Sequence, residues 1–230
     1  MTNLFIRLKE LIDSSIQDFS KKNSAILKKD GSLVTDLDLH LDFEIRNLYN
    51  EFDPVNPIIV SEESYQGDQS ESYNLKNRDF LIVDPIDGTE NFNFFSFMYG
   101  VAISGRIKGV DFDFLYTPFD NTVICGSNDV YQNKTDSRIQ FFSTASVRNI
   151  NKKELMQTSQ IRVLGSSSTM FSLLLRGQAA SYDYTSGGKI WVCYTGLRFA
   201  RNANCFEFEN LEEDWFENPK FKTKFKIIRK

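Results

Sequence analysis

The chain is poor in the residues that most often carry metal and redox chemistry. It has one histidine, His40, and three cysteines, Cys125, Cys193 and Cys205, widely spaced and without a CxxC pair. Such a set indicates neither a zinc site nor a disulfide framework, and it points to a reducing compartment. No apolar run approaches the about 18 residues that span a bilayer, and Met1–Phe19 carries acids inside its apolar pattern, unlike a signal peptide. A cytoplasmic protein with no membrane partner is expected. The net charge is −4, from 27 Lys+Arg against 31 Asp+Glu, and no basic cluster precedes the tail, so no nucleic-acid partner is expected either. Internal repeats are missing too. What remains is 230 residues, 41% hydrophobic, enough for one large domain or two small ones.

The most informative stretch is Phe80 to Phe92, FLIVDPIDGTENF. Phe80-Leu81-Ile82-Val83 is short, β-branched and aromatic, as in a strand buried on both faces, and the acid, proline and glycine that follow mark its end. Asp84 and Asp87 then lie at a strand's C-terminal edge, where open α/β layers collect ligands. Two carboxylates held close repel unless a cation lies between them. Oxygen donors without nearby His or Cys suit Mg²⁺, and Gly88-Thr89-Glu90 offers backbone N–H groups to a phosphate. On spacing alone the stretch reads equally well as an acidic turn capping a helix.

Around it, Leu4, Leu8, Leu11, Ile12, Ile16 and Phe19 recur at helical spacing, which predicts a first helix ending near Lys21-Lys22. A second helix, with apolar residues recurring from Leu39, runs to about Glu51 and carries Asp36 and Asp38 in its first turn, where acids complement the helix dipole. Ile58–Ser61 reads as a strand delivering Glu62 and Glu63, and Tyr65 to Asn77 as a polar loop. Met98 to Ile107, Val110 to Thr117 and Thr122 to Gly126 predict three antiparallel strands. A border near residue 136 divides an N-terminal α+β part, 1–136, from a C-terminal α/β part, 137–230. In the latter, Ile161 to Leu164 predicts a strand, Gly165-Ser166-Ser167-Ser168 a turn into a helix, and Ala179 to Tyr184 a strand. A helix over Lys189 to Ala200 and a strand over Cys205 to Phe208 follow. Lys220 to Lys230, alternating Lys with Phe and Ile, reads as an edge strand guarded by its lysines.

Four blocks carry a resemblance: KKDGSLVTDLD (Lys28 to Asp38), VSEES (Val60 to Ser64), DPIDGTENF (Asp84 to Phe92), and GSSS with GGKIW (Gly165 to Trp191). In this order they resemble the inositol monophosphatase family of Mg²⁺-dependent, lithium-sensitive phosphatases. The resemblance implies the layered α-β-α-β-α sugar phosphatase sandwich and a small phosphorylated metabolite as substrate. It implies two or three Mg²⁺ ions, Glu62, Asp84 and the Ile86 carbonyl holding the first, and Asp84 with Asp87 the second. Thr89 matches the residue that orients the attacking water, Asp38 the acid that holds this threonine, and Glu62 belongs to the same catalytic set. Gly88 and Thr89 match groups that contact phosphate, and Ser166 and Ser167 a turn that contacts substrate. Family members commonly dimerise, so a homodimer is expected, with Phe92 to Tyr99 as interface or as ordinary core.

The departures are also specific. Family members follow the tryptophan matching Trp191 with an aspartate that ligates the second metal, whereas Val192 stands here and leaves that site short of a ligand. Asp183 is a candidate substitute. The acid used on inositol hydroxyls falls at Thr185, or at Tyr184 with a one-residue gap. The expected activity is that of a metal-dependent phosphomonoesterase acting on a small polyol, sugar or nucleotide phosphate. The alternative is a catalytically impaired relative that binds a phosphorylated metabolite or a partner protein.

Overall fold

The structure is a computed structural model that describes residues 2–19, 24–65, 72–133, 135–150 and 160–230. The first helix, α1 (Thr2–Phe19), buries Leu4, Leu8 and Ile12, the stripe its apolar spacing predicts; the proposed end at Lys21-Lys22 lies outside the described residues. A short hairpin, β1 (Ala25–Leu27) and β2 (Leu33–Thr35), leads into α2 (Asp36–Asn50), which carries Asp36 and Asp38 in its first turn as expected. A capping box fixes its start. Thr35 is the N-cap, and the Asp38 carboxylate accepts the Thr35 N–H at 2.9 Å.

The central sheet has the order β3-β4-β5-β6-β7. It comprises β3 (Ile58–Ser61), β4 (Phe80–Asp87), β5 (Gly100–Ile107), β6 (Val110–Thr117) and β7 (Thr122–Ile124). β3 runs parallel to β4 and the rest are antiparallel neighbours, as expected from the turns between them. Helices α1 and α2 cover one face through Leu37, Leu41, Ile45, Leu81, Val83 and Ile103. Between β4 and β5 lies the short helix α3 (Thr89–Phe95).

A second sheet has the order β11-β12-β10-β8-β9, from β8 (Gln140–Phe142), β9 (Ile161–Arg162), β10 (Ser181–Lys189), β11 (Phe206–Glu209) and β12 (Lys222–Arg229). Helices α5 (Ser167–Leu175) and α6 (Ile190–Ala203) lie between the two sheets, and α4 (Thr144–Asn149) packs against β10. The layers are therefore α-β-α-β-α, as the resemblance implies. One core, including Phe80, Ile82, Phe171, Leu174, Leu197 and Phe225, joins both sheets through the middle helices.

Two strand readings are corrected. β12 is not an edge: it is hydrogen-bonded to β10 on one side and β11 on the other. Its alternation is that of an interior strand with one wet face, Thr223, Phe225, Ile227 and Arg229 inward and lysines outward. The strand at Ile161 is only two residues long, because Val163 and Leu164 already lead into the turn before α5. Among the described residues no helix is long and apolar enough to cross a membrane.

Candidate active site

β4 does not stop at Asp84 as its apolar run suggests; it continues to Asp87, buried throughout. Pairing with β5 shifts register on the way, Asp84 facing Ala102 and Asp87 facing Gly100. Three residues on β4 thus oppose two on β5, a bulge at Pro85-Ile86 where the proline has no N–H to lose. In an unbroken strand, residues three apart face opposite ways. The extra residue turns Asp84 and Asp87 toward the same side.

Asp84 is 1% exposed, and neither carboxylate oxygen has a hydrogen-bond partner. Burial, then the charges of Glu62, Asp87, Asp38 and Glu63, hold its pKa well above the usual range. Glu62 arrives from β3, with Ser61 paired to Val83 and the Glu62 N–H donating to the Val83 carbonyl at 3.3 Å. Lys28, just past β1, reaches both neighbouring acids, Glu63 at 2.8 Å and Glu62 at 3.3 Å. Its burial favours the neutral amine, but the two carboxylates outweigh this and raise its pKa. Burial pushes Glu63 up to about 7 against the pull of Lys28.

Asp38 and Thr89, 51 residues apart, meet: the Thr89 Oγ1–H lies 3.0 Å from Asp38 Oδ1 and equally 3.0 Å from the Ile86 carbonyl. The Asp38 carboxylate also accepts from the N–H and hydroxyl of Thr35. These bonds favour its ionised form, yet burial dominates and its pKa is raised. The acid expected to complement the helix start therefore does two jobs, as box partner of Thr35 and holder of Thr89. Asp36 lies outside this group, bonded to Ser24.

The second sheet closes the site with the start of α5. Ser166, its N-cap, donates from Oγ to Asp87 Oδ2 at 2.8 Å, and the Ser168 N–H donates to the same oxygen. Burial raises the Asp87 pKa and these bonds oppose the rise. The approach depends on Gly88, at φ +91°, where a Cβ would lie 2.8 Å from Ser166 Cβ. Ser167 pairs its hydroxyl with Tyr182 at 2.8 Å. Tyr184 stacks on Phe225 and Tyr182 meets it edge-on, both facing the α5 side of β10, and burial, with the Asp87 charge adding to it, raises the pKa of each.

Asp183 is not brought into this group. It alternates with Tyr182 and Tyr184, so it projects from the other face of β10, and its carboxylate accepts the Thr185 hydroxyl at 2.7 Å and N–H at 3.0 Å. Val192, in the first turn of α6, is half-buried against the joint core. His40 lies tilted against Phe19, ring centroids 5.0 Å apart. Sequence reading missed Lys28, which stood inside a recognised block without a role; the Lys28-Lys29 pair ahead of the acids was the available signal. The Ser168 amide belongs to the helix start that the Gly165-Ser166-Ser167-Ser168 turn predicts, and the anion it meets is the Asp87 carboxylate.

A cavity of about 600 Å³ lies at the other end of the central sheet, lined by Phe80, Arg106, Asp111, Asp113, Tyr194 and Arg198 among others. Its charges are largely paired with one another, Arg198 with Asp113 at 3.1 Å and Asp111 at 3.2 Å, Arg106 with Asp111 at 2.5 Å. The chemistry sits at the other end, with the acids.

The inositol monophosphatase family profile matches residues 2–162. The chain belongs to this family, whose members are phosphoric monoester hydrolases. The matched region carries Asp38, Glu62, Asp84, Asp87 and Thr89 and ends before α5 and Val192. A 3'(2'),5'-bisphosphate nucleotidase, CysQ, of Buchnera aphidicola subsp. Acyrthosiphon pisum is 30% identical over 185 residues, covering 74% of this chain and 68% of that protein. Among solved structures, an IMPase/NADP phosphatase complexed with Mg²⁺ and phosphate superposes with a TM-score of 0.77 at 17% identity, over 100% of this chain and 90% of that one. A staphylococcal inositol monophosphatase-1 soaked in LiCl gives 0.76 at 17% identity, over 100% and 89%. At that identity these two structures establish the fold.

Proposed function

We propose that the chain is a Mg²⁺-dependent phosphomonoesterase acting on a small polyol, sugar or nucleotide phosphate. The carrying observation is Asp84, a buried carboxylate with two unpartnered oxygens ringed by four other acids. An anion so placed is unfavourable in isolation and fits a divalent cation. Among the described residues no three acids, histidines or cysteines converge as a ready-made cage, but Mg²⁺ is usually held by one or two carboxylates, waters and substrate phosphate. Glu62, Asp84 and the Ile86 carbonyl are the groups that would hold it. A bound Mg²⁺ supplies Lewis-acid stabilisation of phosphoryl charge and a more acidic water.

The chain's own residues do the positioning. Asp38, fixed by Thr35, accepts a hydrogen bond from the Thr89 hydroxyl, so Thr89 Oγ1 keeps its proton toward Asp38 and presents a lone pair to which the attacking water donates. Gly88 and Thr89 N–H groups take phosphate oxygens, as the family resemblance implies, while Ser166 and Ser167 with Tyr184 form the wall toward the rest of the substrate. Residues 1–136 thus carry the catalytic groups and 137–230 complete the substrate side. Exposed Phe94 (67%), Phe95 (74%) and Phe97 (48%) form an apolar face suited to a homodimer, checked by light scattering. Three free thiols fit a reducing, cytoplasmic location.

The test is phosphate release from a panel of phosphomonoesters with Mg²⁺ or Mn²⁺, headed by nucleoside 3',5'-bisphosphates because of the CysQ relative. Thr89→Ala should lower kcat by about 10²–10⁴-fold, the usual weight of a proton-transfer group, and Thr89→Ser should retain most activity. Turnover indifferent to metal or to Thr89→Ala refutes the mechanism. A second reading, a non-catalytic binder of phosphorylated metabolites, is favoured by Val192; it predicts binding of the same esters without phosphate release.

A further inference from the structure

The two acids of β4 are treated in opposite ways by the fold. Asp84 keeps both oxygens bare inside the protein. Asp87 has one oxygen, Oδ2, already bonded by Ser166 Oγ at 2.8 Å and by the Ser168 N–H. These donors are not free to leave. Ser166 Oγ accepts the Thr169 N–H at 3.1 Å, which commits its own proton to Asp87, and Ser168 N is an N-terminal amide of α5 without an intrahelical acceptor. The carboxylate is thus partly compensated by a helix start, the arrangement that suits an anion at the positive end of a helix. Only Oδ1 remains for a second ligand, and the first turn of α6 offers the aliphatic Val192. A second cation at Oδ1 would find only Asp84 as a further carboxylate, and Asp84 is the ligand the first cation needs; Val192 adds no oxygen to separate the two sites.

We propose that this chain binds a single divalent cation, at Asp84, and that Asp87 is a positioning residue, clasped by Ser166 and Ser168 so that α5 is held against the end of β4. This rests on the metal-phosphatase reading above. It departs from the expectation that Asp87 ligates a second ion. It also explains why Gly88 must lack a side chain: the clasp draws Ser166 Cβ to where a Cβ at residue 88 would lie 2.8 Å away.

The experiment counts Mn²⁺ on metal-stripped protein by the EPR signal of the free ion, with thermal unfolding measured in EDTA. One Mn²⁺ per chain in the wild type is expected across the millimolar range, none in Asp84→Asn, and still one in Asp87→Asn, whose amide oxygen can accept the same two bonds. Asp87→Ala and Ser166→Ala should each lower the melting temperature in EDTA, and the double variant should fall no further than Asp87→Ala. Two ions in the wild type, one of them lost in Asp87→Asn, overturns the proposal, as does a wild type that binds none. Additive losses for Asp87→Ala and Ser166→Ala overturn the clasp. The outcome separates from the fate of the enzymatic reading: one ion without phosphate release refutes the phosphatase alone, and two ions with release refutes the single-ion site alone.

Discussion

Replacing Asp84 by asparagine should make the metal-free protein more stable, the reverse of what removing an active-site ligand does in a well-satisfied core. Asparagine has nearly the same shape but no charge, and its amide N–H groups can donate to the acids around it. In the wild type a carboxylate with two bare, buried oxygens faces Glu62, Asp87, Asp38 and Glu63. Leaving one buried polar group unsatisfied costs about 1–3 kcal/mol, more when it is charged. A domain of this size gains roughly 2–4 °C in melting temperature per kcal/mol. Asp84→Asn should therefore melt several degrees above the wild type in EDTA at neutral pH. Saturating Mg²⁺ should invert the order, since a cation at 100 times its Kd stabilises the wild type by about 2.7 kcal/mol and a chain that cannot bind it by nothing. Thermal unfolding by circular dichroism, with EDTA and with Mg²⁺, reads both numbers. A variant that is less stable in EDTA and still gains from Mg²⁺ as the wild type does would sink the reasoning.

Two further outcomes concern parts remote from the acids. Arg229, 7% exposed, donates to the carbonyls of Leu174 (2.6 Å) and Leu175 (3.0 Å) at the end of α5 and to that of Tyr131; Arg229→Met keeps the stem but loses charge-assisted bonds worth about 1.5–3 kcal/mol each. With three such bonds lost at once, a loss of about 4 kcal/mol or more is expected in urea unfolding, and a loss under 1 would mean that these bonds are not made in solution. Burial raises the Asp113 pKa from 3.8 to about 6 despite Arg198 and Ser104, so between these pH values the native state holds a proton that the unfolded chain has released. Stability from this group is full below pH 4 and is lost as pH rises through 6, at up to about 1.4 kcal/mol per pH unit. Relative to Asp113→Asn, the wild type should lose about 3 kcal/mol between pH 4 and 7; a difference that stays flat with pH refutes the assignment.

How much of this was legible in the sequence depended on whether the deciding contact was local. Helices α1 and α2 announced themselves through apolar spacing, and the turn at Lys108-Gly109 through its glycine. β4 was read four residues short because Asp84, Pro85 and Asp87 are poor strand formers; what keeps them in the strand is pairing with β5, whose register is invisible from β4 alone. For β12, the lysine alternation was read as the guard of an exposed edge, but its two neighbours come from residues 181–189 and 206–209, and nothing within the strand tells an edge from an interior place. The meeting of Asp38 with Thr89 was reached through the family resemblance, whereas Lys28 was not reached by either route.

The five acids now explain one another. Nearly every one has been answered by a donor from elsewhere in the chain: Asp38 by Thr35 and Thr89, Glu62 and Glu63 by Lys28, Asp87 by Ser166 and the Ser168 amide. Asp84, at the centre, has been answered by none. A core assembled for stability alone would have put an aliphatic residue there, as it did at Leu81 and Val83 on the same strand. The fold instead concentrates its unresolved electrostatic cost on one carboxylate and surrounds it with side chains whose own bonds hold them still. That is the condition under which a cation binds where it is needed without the protein having to rearrange. Asp84 is therefore the residue at which stability and function can be measured against each other, by the sign of its asparagine variant with and without Mg²⁺.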